Sequence, residues 1–117
     1  MKSNVIKEKS FAFALQVVAL SRSLQSEKRE FVLSRQVLRS GTAIGALVRE
    51  AEHAESRADF VHKMSIALKE ANETLYWIDL LGHSGYIDQQ LFCDVRAAAE
   101  ELLRILVAVV KSTKTVR

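Results

Sequence analysis

A chain of 117 residues and 13.1 kDa is the size of one domain built on one hydrophobic core. An apolar share of 49% beside 26% charged residues excludes a disordered tail or a collagen-like repeat, and the absence of proline with only four glycines excludes a loop-rich sandwich or barrel. The single cysteine, Cys93, excludes a disulfide scaffold and points to a reducing compartment, the cytoplasm.

The first predicted element is a helix whose Ile6, Ser10, Phe13, Val17, Leu20 and Leu24 recur at spacings of four and three, the seam of a bundle helix. Lys2, Lys7 and Lys9 ahead of the apolar run Phe11 to Leu20 imitate a signal peptide, but Glu8 and Gln16 interrupt that pattern and the helical period runs straight through it. From Gln25 to Leu33 the period lapses into a charged connection. A second helix is expected from an N-cap at Ser34, stapled by Leu33 and Leu38, to about Ala54. The third starts at Ser56, with Asp59 at N3 where the helix dipole favours negative charge. Its seam is Phe60, Met64, Ala67, Ala71, Thr74, Ile78 and Leu81, broken by Gly82 and Gly85. Asp88 caps the fourth, with Ile87 and Phe92 as its staple and Leu91, Val95, Ala98, Leu102, Ile105 and Val109 as its seam, flanked by Ala99, Leu103, Leu106 and Val110. No stretch reaches the roughly 18 uncharged apolar residues of a membrane span.

Four such helices with short connections predict an all-α, antiparallel up-down-up-down bundle, with residues 1–117 as one domain. Two helices are more apolar than a monomeric bundle requires: the first between Phe11 and Leu20, and the fourth from Leu102 to Val110, where Arg104 is the only charge. Surplus apolar surface of this kind marks self-association into a closed homo-oligomer. The candidate contact residues are Phe11, Leu15, Val18, Gly41, Gly45, Trp77, Leu103, Val107 and Val110. Gly41 and Gly45 qualify because each costs its helix about 1 kcal/mol relative to Ala, which close approach of a neighbouring helix would offset. That neighbour lies either within the subunit or in another copy.

The net charge of +3 is unevenly spread. Met1 to Arg49 holds nine basic and three acidic residues, Glu50 to Glu101 four basic and eleven acidic, and Leu102 to Arg117 four basic and none acidic. Arg22, Lys28, Arg29, Arg35, Arg39, Lys111, Lys114 and Arg117 are the candidate contacts to an RNA or DNA backbone, repeated around an oligomer and sensitive to salt. They lack the interleaved aromatic residues of single-strand binders. In an up-down bundle both termini share a pole with the acids Glu50, Glu52, Glu55 and Asp59. Arg22, Lys28, Arg29 and Arg35 share the other, opposed by Glu27, Glu30 and Asp79. A purely protein-binding scaffold is the alternative role.

Catalytic chemistry finds little footing. Glu50 with His53, and Asp59 with His62, have the three-residue spacing of carboxylate–histidine pairs in di-iron bundles. Those sites add glutamates from facing helices inside the bundle, whereas these pairs flank a connection and read as a solvated or subunit-bridging acidic face. Glu70 and Glu73 share a helix face without a cleft, Cys93 has no His or CxxC partner, and neither a nucleophile elbow nor a phosphate loop is present. No metal, cofactor or catalytic residue is expected.

Two strings carry a family likeness: Arg39-Ser40-Gly41-Thr42-Ala43-Ile44-Gly45-Ala46-Leu47-Val48-Arg49-Glu50-Ala51, and the pair Glu55 to Met64 and Ile66 to Trp77. In this order they resemble the bacterial four-helix-bundle proteins encoded in intervening sequences of 23S ribosomal RNA genes. The likeness spans nearly the whole chain and is strongest from Leu38 to Leu81. Ala43 and Leu47 stand where Ser and Asn are commoner, which weakens any polar role there. The resemblance implies a small cytoplasmic ring, a homopentamer, without catalytic activity. Related proteins accompany the reverse transcriptases of diversity-generating retroelements as basic adaptors, which implies an association with nucleic acid or with a protein partner.

Overall fold

The computed structural model describes residues 2–115, with side chains from 5 to 114. They form α1 (Lys2–Glu27), α2 (Leu33–Ala51), α3 (Arg57–His83) and α4 (Gln89–Thr115), and no strand occurs among them. Each helix packs on the next, α4 returns to touch α1 more lightly, and among the described residues the diagonal pairs α1/α3 and α2/α4 make no close backbone approach. The resulting body is 49 × 21 × 20 Å.

The seam of α1 is buried as expected, with Ile6, Phe13, Val17, Leu20 and Leu24 in the core beside Ser10. Ser21 Oγ donates to the Ser34 carbonyl at 3.0 Å, and a Cβ at Gly41 would strike both methyls of Val17 at 2.9 Å. Gly45 faces the Ser10 backbone. Numbers thus fall along α1 as they rise along α2. Both glycines expected as contact residues therefore face α1 inside the subunit, where Gly41 leaves no room for a side chain and a Cβ at Gly45 would make ordinary contact at 3.5 Å.

Helix starts differ in how they are built. Ser56 caps α3 as the sequence indicates, its Oγ accepting from the Asp59 N–H at 3.1 Å while Asp59 Oδ2 accepts from the Glu55 N–H at 3.1 Å. Asp88 Oδ1 accepts from the Leu91 N–H at 2.8 Å at the start of α4. The expected Ser34 cap is not formed. Helix α2 begins two residues earlier, with Val32 at the N-cap position, Ser34 is buried, and its hydroxyl accepts from Gln25 Nε2. The cap comes from Glu30, whose carboxylate folds inward to accept from the Ser34 N–H at 2.8 Å and the Val32 N–H at 3.3 Å. A longer side chain outside the helix replaces the short one inside it. At the far end α2 stops at Ala51, three residues short of expectation.

Helix α3 buries its predicted seam from Met64 to Leu81 and ends in a Schellman turn. The Tyr86 N–H bonds the Leu81 carbonyl and the Gly85 N–H the Gly82 carbonyl, with Gly85 at φ +83°. Gly82 lies within the helix, where a Cβ would meet the Phe92 ring at 2.2 Å. The stripe of α4 is rotated from its predicted centre: Val95, Ala99, Leu102, Leu106 and Val110 are buried, whereas Leu91 is 37% exposed. Leu, Ile and Val fill both alternatives, so the pattern alone did not fix the rotation. Val110, expected at a subunit contact, belongs to this core. No described helix is long and apolar enough to cross a membrane.

Candidate nucleic-acid interface

The ends of the body differ in charge bookkeeping. At one pole a cleft of about 650 Å³ brings together Ile6, Ala51, Ser56, Phe60, Val109 and Thr113, from the start of α1, the end of α2, the start of α3 and the end of α4. Cations there meet acids. Lys7 pairs with Glu52 at 3.3 Å, Lys63 with Glu50 at 3.1 Å and, nearer the middle, Lys9 with Glu101 at 3.1 Å. Lys111 and Lys114 are exposed at this end of α4. Arg117 lies outside the described residues.

The opposite pole gathers the end of α1 and the α3–α4 connection, with Leu20, Glu27, Lys28, Tyr86 and Asp88 around one smaller depression. Arg22 stands on the last turns of α1, Lys28 and Arg29 on the connection, and Arg35 on the first turn of α2. The bond between Ser21 and Ser34 joins the turns of α1 and α2 that carry Arg22 and Arg35. All four are exposed, and none has an ion-pair partner among the described residues. Two acids expected to offset them are committed elsewhere: Glu30 is buried in its capping bonds, and Asp79 accepts from Arg96 Nε at 2.8 Å. Arg96 also pairs with Glu100, and these bonds, that with Asp79 foremost, hold its guanidinium still more firmly protonated than usual.

Arg29 has φ +53°, the left-handed conformation that Gly85 adopts at the end of α3. A residue with a Cβ there costs about 1 kcal/mol or more relative to Gly. Its guanidinium lies 5.8 Å from the centroid of the Phe31 ring. An aromatic residue thus does accompany the basic cluster, contrary to the sequence reading. Beside it Val32 is 68% exposed, so the connection carries an apolar tip that the reading also missed. The triplet Phe31-Val32-Leu33 within a polar connection was the available signal.

Arg39, grouped with the phosphate candidates, is taken up on another face. Its Nη2 binds Glu73 Oε2, its Nη1 lies 3.5 Å from Glu70 Oε1, and Gln36 Oε1 accepts from it as well. Glu73 accepts in addition from Trp77 Nε1 at 2.9 Å, and that indole bond, with Arg39 assisting against partial burial, holds its carboxyl below the ordinary value of 4.5. Trp77 is half-buried in this arrangement. Of the other contact candidates, Phe11 is 50% and Leu15 57% exposed, while Val18, Leu103 and Val107 are partly covered. Around the acidic connection His53 and His62 are exposed, Glu50 is paired with Lys63 and Asp59 serves the cap. Among the described residues no three His, Cys, Asp or Glu side chains converge as metal ligands.

A family model described as 23S rRNA-intervening sequence protein matches residues 2–108. Among solved structures the chain is similar to a protein of unknown function from the S23 ribosomal protein family of Bacteroides thetaiotaomicron. The two are 50% identical, with a TM-score of 0.93 over 95% of this chain and 99% of the other. No curated protein matches the chain. Neither the family nor the structural relative carries an enzymatic description.

Proposed function

Since the chain belongs to the 23S rRNA-intervening sequence protein family, we propose that it is a non-enzymatic, oligomeric adaptor of the cytoplasm that grips the backbone of RNA or DNA through the basic pole of each subunit. The observation that carries this reading is the set Arg22, Lys28, Arg29 and Arg35, exposed and without acidic partners among the described residues, with Arg29 kept in a backbone conformation that Gly would adopt at lower cost. Strain retained at a charged, exposed position is the pattern of a site held for function. Guanidinium and ammonium groups that hold no carboxylate are available to phosphate, and displacement of counterions makes such binding depend on salt.

The pairings Ser10–Gly45, Val17–Gly41 and Ser21–Ser34, with the grouping of helix ends at each pole, support an antiparallel up-down-up-down arrangement of one domain. The exposed Phe11 and Leu15 support a closed homo-oligomer, a homopentamer on the family likeness, in which the basic poles repeat around one rim. The same apolar stripe favours a second reading, a protein scaffold that binds no nucleic acid.

A titration of generic single-stranded RNA and of duplex DNA at several salt concentrations separates the two. Four phosphate contacts per subunit on a single strand give log Kd a slope of about 3 against log salt. Absence of binding at low salt, or binding indifferent to salt, removes the phosphate-gripping reading and leaves the scaffold.

A further inference from the structure

The connection between α1 and α2 holds apolar side chains in water on a backbone pinned from both sides. The Leu24 carbonyl accepts from the Lys28 and Glu30 N–H groups at 3.2 and 3.0 Å, the Glu30 carboxylate accepts from Val32 and Ser34, and the Val32 carbonyl accepts from the Gln36 N–H at 3.3 Å. Between these anchors Phe31 is 38% and Val32 68% exposed. Arg29, in its left-handed conformation, sets its guanidinium 5.8 Å from the centroid of the Phe31 ring. Arg22, Lys28 and Arg35 share this pole, exposed and without acidic partners among the described residues. An exposed ring among cations that hold no carboxylate has two kinds of affinity, one for phosphate and one for a flat apolar face.

We propose that this tip selects unpaired nucleic acid, the Phe31 ring stacking on a base while the cations around it hold the neighbouring phosphates. This rests on the backbone-gripping reading above and deepens it by naming the form of nucleic acid that is preferred. Phosphate contacts alone would take either form, and the duplex has the denser charge. In a duplex each base face is covered by its neighbours, so the ring reaches one only after a step has been unstacked, whereas a single strand presents such faces readily. Every base has a flat face, so the selection is for strandedness and not for sequence. Arg29 decides between this occupant and an anionic bilayer, the other surface that suits a basic and apolar tip. Burying Phe31 in hydrocarbon would carry the guanidinium on its ring out of water. A base accepts both groups, because bases stack on aromatic rings and on guanidinium planes alike. The pinned backbone adds to affinity, since little ordering of the tip is left to be done on binding.

The test is Phe31→Leu, which keeps the charge and most of the apolar bulk but removes the aromatic face. The probes are oligouridine, whose bases stack weakly on one another, and an RNA duplex of the same length, each titrated over a salt series. The Kd for oligouridine is expected to rise about 5- to 100-fold, with the duplex Kd and both salt slopes unchanged. Phe31→Tyr is expected to bind oligouridine like the wild type. Circular dichroism and light scattering verify that fold and mass are those of the wild type. If Phe31→Leu fails to fold, Val32→Ser replaces it, with a loss again confined to oligouridine. An equal loss on both probes, or a loss on neither, overturns the role of the tip and leaves the backbone-gripping reading standing. A changed mass for folded Phe31→Leu does the same by giving the tip to a subunit contact. Phe31-dependent sedimentation with vesicles of equal parts phosphatidylcholine and phosphatidylserine also does so, by giving it to a bilayer. Absence of salt-dependent binding to either probe by the wild type overturns both.

Discussion

The two poles of the bundle differ in where particular acids find their partners. Around the α2–α3 connection Glu50 and Glu52 stay at the surface and pair with Lys63 and Lys7. Around the α1–α2 connection Glu30 turns inward to cap α2, and Arg22, Lys28, Arg29 and Arg35 are left facing solvent. Counting charges along the chain does not distinguish these outcomes. What distinguishes them is where a carboxylate finds its hydrogen bonds, because one folded onto backbone N–H groups no longer forms ion pairs at the surface.

The largest effect that would break this contrast comes from the capping acid itself. Glu30→Ala removes a charged acceptor from two N–H groups, one of them buried, and is expected to cost about 2–3 kcal/mol in urea unfolding. Ser56→Ala, at the conventional cap of the other connection, is expected to cost about 1 kcal/mol. Equal losses at the two sites would mean that Glu30 is not the cap. Next in size is Arg29→Gly, which relieves the left-handed backbone and is expected to raise stability by up to about 1 kcal/mol while weakening RNA binding. A change that stabilises the fold and impairs the proposed function would identify Arg29 as retained for its charge.

A smaller effect sharpens the boundary of the basic pole. Glu73 keeps Arg39 out of it, and its lowered carboxyl value means that the stabilisation is complete above pH 4.5 and is lost as pH falls through the lower folded value. Trp77 is the only tryptophan, so its fluorescence should report that step below pH 4.5. Glu73→Gln should abolish the step without unfolding the protein. A fluorescence change centred at or above pH 4.5 would contradict the assignment.

Much of the fold was legible in the sequence, and the exceptions share a cause. The buried seams of α1 and α3 and the caps at Ser56 and Asp88 follow from local spacing, where residues three or four apart determine the outcome. The cap at Glu30 was not legible, because Ser34 satisfies the local rule equally well and only packing of α1 on α2 draws it into the core. The rotation of α4 was hidden by a helix apolar on both candidate stripes, so the choice between Val95-Ala99-Leu102-Leu106 and its neighbour rested on tertiary contacts. Of the site, the basic residues were recognisable by type, but Arg39 and Arg35 look alike in sequence. Only the fold places Glu70 and Glu73 against the first of them, because they lie more than thirty positions away.

The central claim is that unpaired charge at one pole, rather than total positive charge, binds the nucleic-acid backbone. The direct measurement is the salt dependence of single-stranded RNA binding by two double variants, Arg22→Ala with Arg35→Ala, and Lys7→Ala with Lys9→Ala. The first pair is expected to weaken binding and to lower the slope of log Kd against log salt by about 1.4 per subunit engaged. The second pair, whose lysines are held by Glu52 and Glu101, is expected to leave the slope unchanged. Equal reductions from the two double variants, or none from the first, would contradict it.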